Sequence, residues 1–211
     1  MPKVVIAENR RQDVARAVLR LVARDGLEHA SLRNIADEAG LAIGSVRHYF
    51  DGQSEVVTFA MEELCARIGE RVRRHAERLL NPAAPTGPAD RRAAVEALLA
   101  ELLPLDDVRR EEAELWLAFT TAARTRPELR PGAALLHEST RHLIARVLDE
   151  ARRAGGAPAD LDVPLETERL AALLDGLALG MVLHPAGVPP RTALLILRRH
   201  LRDLAERPGP A

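Results

Sequence analysis

Residues Ser31 to Phe50, SLRNIADEAGLAIGSVRHYF, read as two short amphipathic helices joined by a glycine turn. Ser31 is placed to cap the first helix, whose Leu32, Ile35, Ala36 and Ala39 recur at the three-and-four spacing of one buried face; Arg33, Asn34, Asp37 and Glu38 stay outside. Gly40 stops it, because glycine adopts the left-handed conformation after a helix at little cost, and Leu41 can then fold back onto the last turn. The second helix starts at once. It buries Val46 and Phe50 and leaves Ile43, Ser45, Arg47 and His48 on an outer surface of the kind that enters a DNA major groove. A glycine turn of this kind also joins helical hairpins with no DNA role, so the pattern by itself leaves both readings open.

Upstream, a helix over about Asn9 to Asp25 buries Val14, Ala17, Val18, Leu21 and Val22 and ends at Gly26, which completes a three-helix head. The same helix carries Arg10, Arg11, Arg16, Arg20 and Arg24, a local basic face beside the two reading helices. Arginine is abundant along the entire chain and Lys3 is the only lysine, so part of that density is compositional bias. Downstream, Asp51-Gly52 turns the chain and Ser54 caps a long helix with Val57, Met61, Leu64, Ile68 and Val72 along one stripe, reaching Leu80. At about 1.5 Å per residue such a helix spans on the order of 40 Å, enough to connect a head of residues 1–53 mechanically to a body of residues 54–211.

The body reads as helical throughout, about nine helices in all with the head. A proline-rich break, NPAAPTGPAD at Asn81–Asp90, precedes helices over about Asp90–Leu103, Asp106–Arg124 and Pro127–Ala154, the last with Pro131 and Gly132 near its start so that its first turn is a separate piece. From Pro164 to His184 the chain reads PLETERLAALLDGLALGMVLH, with Leu170, Leu173, Leu174, Leu177 and Met181 on one face and Ala172, Gly176 and Gly180 on another. A helix apolar on two sides must be buried on two sides, and small residues four apart let backbones approach closely. A final helix from Pro189 to about Glu206 offers Leu194, Leu197, Leu201 and Leu204 at the spacing of a packed seam. These two helices are expected to form a dimerisation bundle; an intramolecular hairpin is the other arrangement the pattern allows.

The pattern of Ala39-Gly40, Gly44, Val46 and His48-Tyr49-Phe50 resembles the tetracycline-repressor (TetR) family of bacterial transcriptional regulators, and LLDGLALGMVLHPAGVP resembles the C-terminal domain of its betaine-regulator-like subgroup. The resemblance implies an all-α regulator, released from a palindromic operator by a small-molecule effector and acting by default as a repressor. Two heads related by two-fold symmetry would then occupy successive major grooves roughly 34–36 Å apart. Residues carried over to the DNA surface are Ser31, Arg33, Ile43, Gly44, Ser45, Arg47, His48, Tyr49 and Gln53. The fork of Arg47 fits the two acceptors of a guanine edge, and it fits a phosphate equally well. Tyr49 is expected on a phosphate, as is Ser31 with the amides at its helix start. The family also implies a ligand pocket in the body, for which Met61, Cys65, Trp116, Phe119, His137 and Met181 are candidates; the apolar ones read more readily as plain core, and His137 also reads as a surface residue. Three positions depart from the commonest family pattern. Ala42 stands where serine or threonine usually caps, Arg47 where tyrosine is common, and Gln53 where a lysine commonly holds phosphate.

Composition narrows the class. Alanine and leucine dominate, aromatic residues make up only 2% of the chain, and valine or isoleucine runs with period two are absent, so the class reads as all-helical; the scarcity of aromatics also disfavours a choline-type aromatic cage. One cysteine, Cys65, excludes an intrachain disulfide and suits a reducing cytoplasm. No apolar run reaches the roughly 20 residues of a membrane span, and the start has too short an apolar stretch for export. No catalytic residue, metal site or cofactor is expected: HEST at His137 lacks the second histidine of a zinc helix, since Arg141 stands there, and no phosphate loop or nucleophile elbow occurs. The rival from another class is a helical ligand-binding or scaffolding dimer whose head contacts a protein rather than DNA.

Overall fold

A computed structural model describes residues 2–79 and 87–206. Among them the regular elements are all helical: α1 (Pro2–Asp25), α2 (Leu32–Ala39), α3 (Ile43–Tyr49), α4 (Gln53–Leu79), α5 (Pro88–Ala100), α6 (Asp107–Ala122), α7 (Arg130–Arg153), α8 (Val163–Leu183) and α9 (Pro190–Ala205), with short 3-10 turns at Leu27–His29 and Pro127–Leu129. Leu80 and most of the expected proline-rich break lie outside the described residues.

The ends follow from local chemistry. Ser31 Oγ accepts from the Asn34 amide at 3.2 Å, the expected cap of α2. Gly40 is left-handed at φ 65°, its amide bonds to the Asp37 carbonyl and that of Leu41 to the Ala36 carbonyl at 2.9 Å, which is the Schellman pattern. Pro127–Leu129 forms the separate turn expected ahead of α7, and Gly155 at φ 70° follows that helix.

Two boundaries differ from expectation. Helix α1 begins at Pro2 rather than near Asn9, since proline suits the first helical position and nothing in KVVIAE breaks the run. Ser54 lies inside the first turn of α4 and its hydroxyl donates to Glu128 at 3.2 Å, so it is not the cap. Glu55 does that work by reaching back to the Asp51 amide at 2.6 Å, in the manner of a capping box.

The chain forms two compact units. The first comprises residues up to Ile68 with Glu114–Leu135, the second Gly69–Ala113 with residues from Leu136 onward. In the first, α1 packs on α2 and α3, and Val14, Ala17, Val18, Ile35, Ala36, Val46 and Phe50 are buried as the head's core. In the second, α5 and α8 pack on α9 around Leu99, Leu103, Ile144, Leu148, Leu170, Leu174, Met181 and Leu197. Arg71 lies between Glu101 (2.8 Å) and the buried Glu112 (2.6 Å). Burial opposes its charge most strongly, but the hydrogen bonds it donates to Glu112 and Glu101, together with the charges of those two carboxylates, outweigh burial and raise its pKa. Asp106 caps α6 by accepting from the Arg109 amide at 2.8 Å, the main reason its carboxyl sits below the ordinary aspartate range.

Candidate nucleic-acid interface

The two short helices hold opposite faces to opposite environments, as their periodicity requires. Val46 and Phe50 of the α3 segment are 0% and 2% exposed, whereas Arg47 and His48 are exposed and Ile43, Ser45 and Tyr49 half-buried. On α2, Ile35 and Ala36 are fully buried while Arg33 and Asn34 face out. Gly44 and Gln53 are also exposed, Gln53 as the first residue of α4. The His48 and Tyr49 rings meet edge to face with centroids 5.1 Å apart. Ala42 precedes α3 in extended conformation and supplies no side-chain cap.

The charge distribution is not the one the arginine count implies. On α1, Arg16 pairs with Asp13 at 2.6 Å and Arg10 lies 3.8 Å from the same carboxylate. Arg20 and Arg24 both bind Glu38 of α2, each at 2.9 Å, and Arg24 also holds Asp25. Arg11 pairs with Glu55 at 3.2 Å. The basic face expected on α1 is therefore largely neutralised by carboxylates. The Glu38 carboxyl is held below the ordinary glutamate range by the hydrogen bond from Arg20, then by that from Arg24. In contrast, Arg33 and Arg47 are exposed and enter no ion pair among the described residues, so the described arginines of the head without a carboxylate partner lie on the two reading helices.

Sequence reasoning missed Glu38 and Glu55 as organising groups, and it took Arg11 for surface charge. The partners are 14 to 44 residues apart, given the separations of the Arg24–Glu38 and Arg11–Glu55 bonds, and no local spacing signals them.

The candidate pocket residues divide between the two units. In the first, Met61, Cys65 and Phe119 are 1%, 9% and 0% exposed and Trp116 is half-buried. Burial pushes the Cys65 thiol up to about 11, so at neutral pH it is an unreactive thiol. In the second, Met181 is fully buried and its carbonyl accepts from Arg110 at 2.8 Å. His137 is exposed, with Nδ1 2.9 Å from Arg141, and faces away from any interior. No cluster of metal-ligating side chains occurs among the described residues.

The residues expected to pair two copies also divide. Ala172 and Gly176 are exposed on α8, but a Cβ on Gly180 would come within 3.2 Å of Val188, so that glycine serves its own chain's α8–α9 connection. On α9, Leu197 and Leu204 are buried in the second unit's core and Leu194 and Leu201 pack against it. Leu197 and Leu204 thus serve the chain's own core, while Leu194 and Leu201 stay partly buried and Leu195 and Ile196 stand exposed.

A helix-turn-helix with two unpaired arginines on its outer surface, followed by a larger helical body, defines the class of helix-turn-helix transcriptional regulators. Residues 91–206 match the family of the BetI-type transcriptional repressor C-terminal domain. Across 97% of its length the chain is 35% identical to the HTH-type transcriptional regulator PksA of Bacillus subtilis (strain 168), covering 94% of that protein. A transcriptional regulator from Rhodococcus sp. Rha1 superposes with TM-score 0.75 at 28% identity, over 92% of this chain and 95% of that one. A regulator from Saccharomonospora viridis solved with choline shares the fold, with TM-score 0.76 at 22% identity over 95% and 97% of the two chains. The chain belongs to the TetR family of transcriptional regulators, with a C-terminal part of the BetI type. These relatives are regulators and not enzymes.

Proposed function

We propose that the chain is a ligand-responsive repressor that acts in the cytoplasm, binds a palindromic operator as a homodimer and is released by a small-molecule effector. The observation that carries this reading is the exposed, unpaired charge of Arg33 and Arg47 on a head whose other described arginines are tied to carboxylates. In this reading residues 1–53 read DNA, and residues 54–211 pair the subunits and take the effector. Arg47 reads a guanine edge, Ile43, Gly44, Ser45 and His48 line the groove, and Ser31, Arg33, Tyr49 and Gln53 hold the backbone.

Pairing is supported by a stripe left uncovered on α8: Leu165, Ala172, Gly176, Leu179 and Leu183 follow one another at seven, four, three and four residues and are all exposed. With Leu195 and Ile196 of α9 they make an apolar surface of the kind two copies cover. The effector acts by preferring a state whose heads no longer match the operator. Aromatic caging of a quaternary ammonium is disfavoured. Of three phenylalanines, two, Phe50 and Phe59, already have their faces under the Arg11 guanidinium.

The test is selection of bound duplexes from a randomised pool by the full-length chain. A two-fold symmetric consensus is expected, with preference at one base pair per half-site lost in Arg47→Ala. Recovery of no preferred sequence would overturn the proposal and favour a head that contacts protein.

A further inference from the structure

Arg11 engages several elements of the head at once. Its Nη1 donates to the main-chain carbonyl of Tyr49 at 2.6 Å and its Nη2 to Glu55 Oε1 at 3.2 Å. The guanidinium carbon lies 4.3 Å from the Phe50 ring centroid and 4.6 Å from that of Phe59, and the two rings are themselves 5.6 Å apart. The other oxygen of Glu55 accepts the Asp51 amide. One cation from α1 therefore joins the last residue of α3, the turn after it and the first turns of α4.

The carbonyl it holds is significant. Tyr49 is the last residue of α3, so its oxygen is one of the acceptors that no amide within the helix can satisfy, at the end where the helix dipole favours a cation. A helix of seven residues has little stability of its own, and its direction depends on what grips its ends. At its start Ala42 gives no side-chain cap, so the fixing falls to Val46 and Phe50 in the core and to Arg11 at the finish.

We infer that Arg11 is a positioning residue for DNA reading: it sets the direction of the recognition helix α3 by gripping its C-terminal carbonyl, and it makes no contact with DNA. This rests on the proposal that α3 reads base pairs. A guanidinium turned toward a phosphate would present its terminal nitrogens to solvent, whereas both terminal nitrogens of Arg11 are bonded within the head, to Tyr49 and Glu55, and its face lies against two rings.

The test compares wild type, Arg11→Ala and Arg11→Lys as full-length chains, on the tightest duplex selected from a random pool and on a scrambled duplex of the same length. Only the correctly folded fraction is counted, determined by titration. Affinity of Arg11→Ala for the selected duplex is expected to fall about tenfold, the scale of one misaimed base contact, with affinity for the scrambled duplex and the salt dependence unchanged. Arg11→Lys, which keeps one hydrogen bond but not the planar fork, is expected to recover part of the loss. Hydrogen exchange of the α3 amides should accelerate about tenfold in Arg11→Ala relative to those of α2, in the absence of DNA.

Equal weakening on both duplexes with a salt slope shallower by about one would make Arg11 a phosphate contact and overturn the inference. So would unchanged affinity of the folded fraction, or unchanged exchange in α3. A wild type with no preferred duplex would sink the DNA-reading proposal itself, and the exchange measurement would still decide whether Arg11 holds α3.

Discussion

Gly40 and Gly69 show why the same residue type carries opposite consequences. Neither would bring a Cβ within 4 Å of another group, but Gly40 sits at φ 65° after α2, and Gly69 lies at an ordinary helical position inside α4. Alanine at 40 must enter the left-handed region or undo the Schellman bonds, so Gly40→Ala is expected to lower unfolding free energy by about 1 kcal/mol or more. Alanine at 69 relieves the helix of glycine's entropy, and Gly69→Ala is expected to raise it by about 0.5–1 kcal/mol. Urea midpoints decide both, and a shift in the same direction for the two would refute the argument. Gln53, exposed at the start of α4, offers a test of charge rather than shape. Gln53→Lys is expected to tighten binding to many duplexes alike and to steepen the salt slope by about one, as one more phosphate is neutralised. An unchanged affinity over a salt series would show that residue 53 faces no phosphate.

Contacts between helices bring pH into the head. Glu38 of α2 accepts from Arg20 and Arg24 of α1, which holds its folded-state pKa below the ordinary value of 4.5. The sign follows from linkage: the stability this gives is present at pH above the unfolded-state value and disappears as pH falls through the depressed folded-state value. Glu38→Gln is therefore expected to be less stable than wild type at neutral pH, with the gap closing on acidification below about pH 4.5. Thermal midpoints across that range check it, and a constant gap would mean the carboxylate's charge is irrelevant. The same contacts mark where the sequence stops being informative. Ser31, Gly40 and the period of α2 were legible because a cap, a left-handed turn and a buried face are decided within a few residues. The grip of Arg11 on Tyr49 and of Arg20 on Glu38 was not, because long flexible side chains meet partners 38 and 18 residues away only after the helices have packed. Ser54 failed for a related reason: two residues in its neighbourhood could serve as caps, and the longer reach of Glu55 won.

In the chain as a whole, periodicity announces that a helix has apolar faces and is silent on which neighbour covers each. Helix α8 was rightly read as apolar on two sides, yet α9 spends Leu197 and Leu204 on the second unit's own core. The uncovered apolar surface is instead the α8 stripe through Leu179, 45% exposed, with Leu195 at 59%. That difference separates two substitutions that look alike in sequence. Leu179→Glu puts a carboxylate where the single chain already meets water, so the fold should be kept and only association lost. Leu197→Glu puts one where exposure is 0%, with no partner to offset burial of its charge, and should unfold the second unit. Sedimentation and circular dichroism together check the pair: Leu179→Glu is expected to run as a folded monomer, and Leu197→Glu to lose helicity. The monomer should also lose most of its affinity for the selected palindrome, since two linked heads gain from effective concentration what one head cannot. If Leu179→Glu still sediments as a dimer, the α8 stripe is not the pairing surface, and the spacing of the two heads must be set by some other part of the chain.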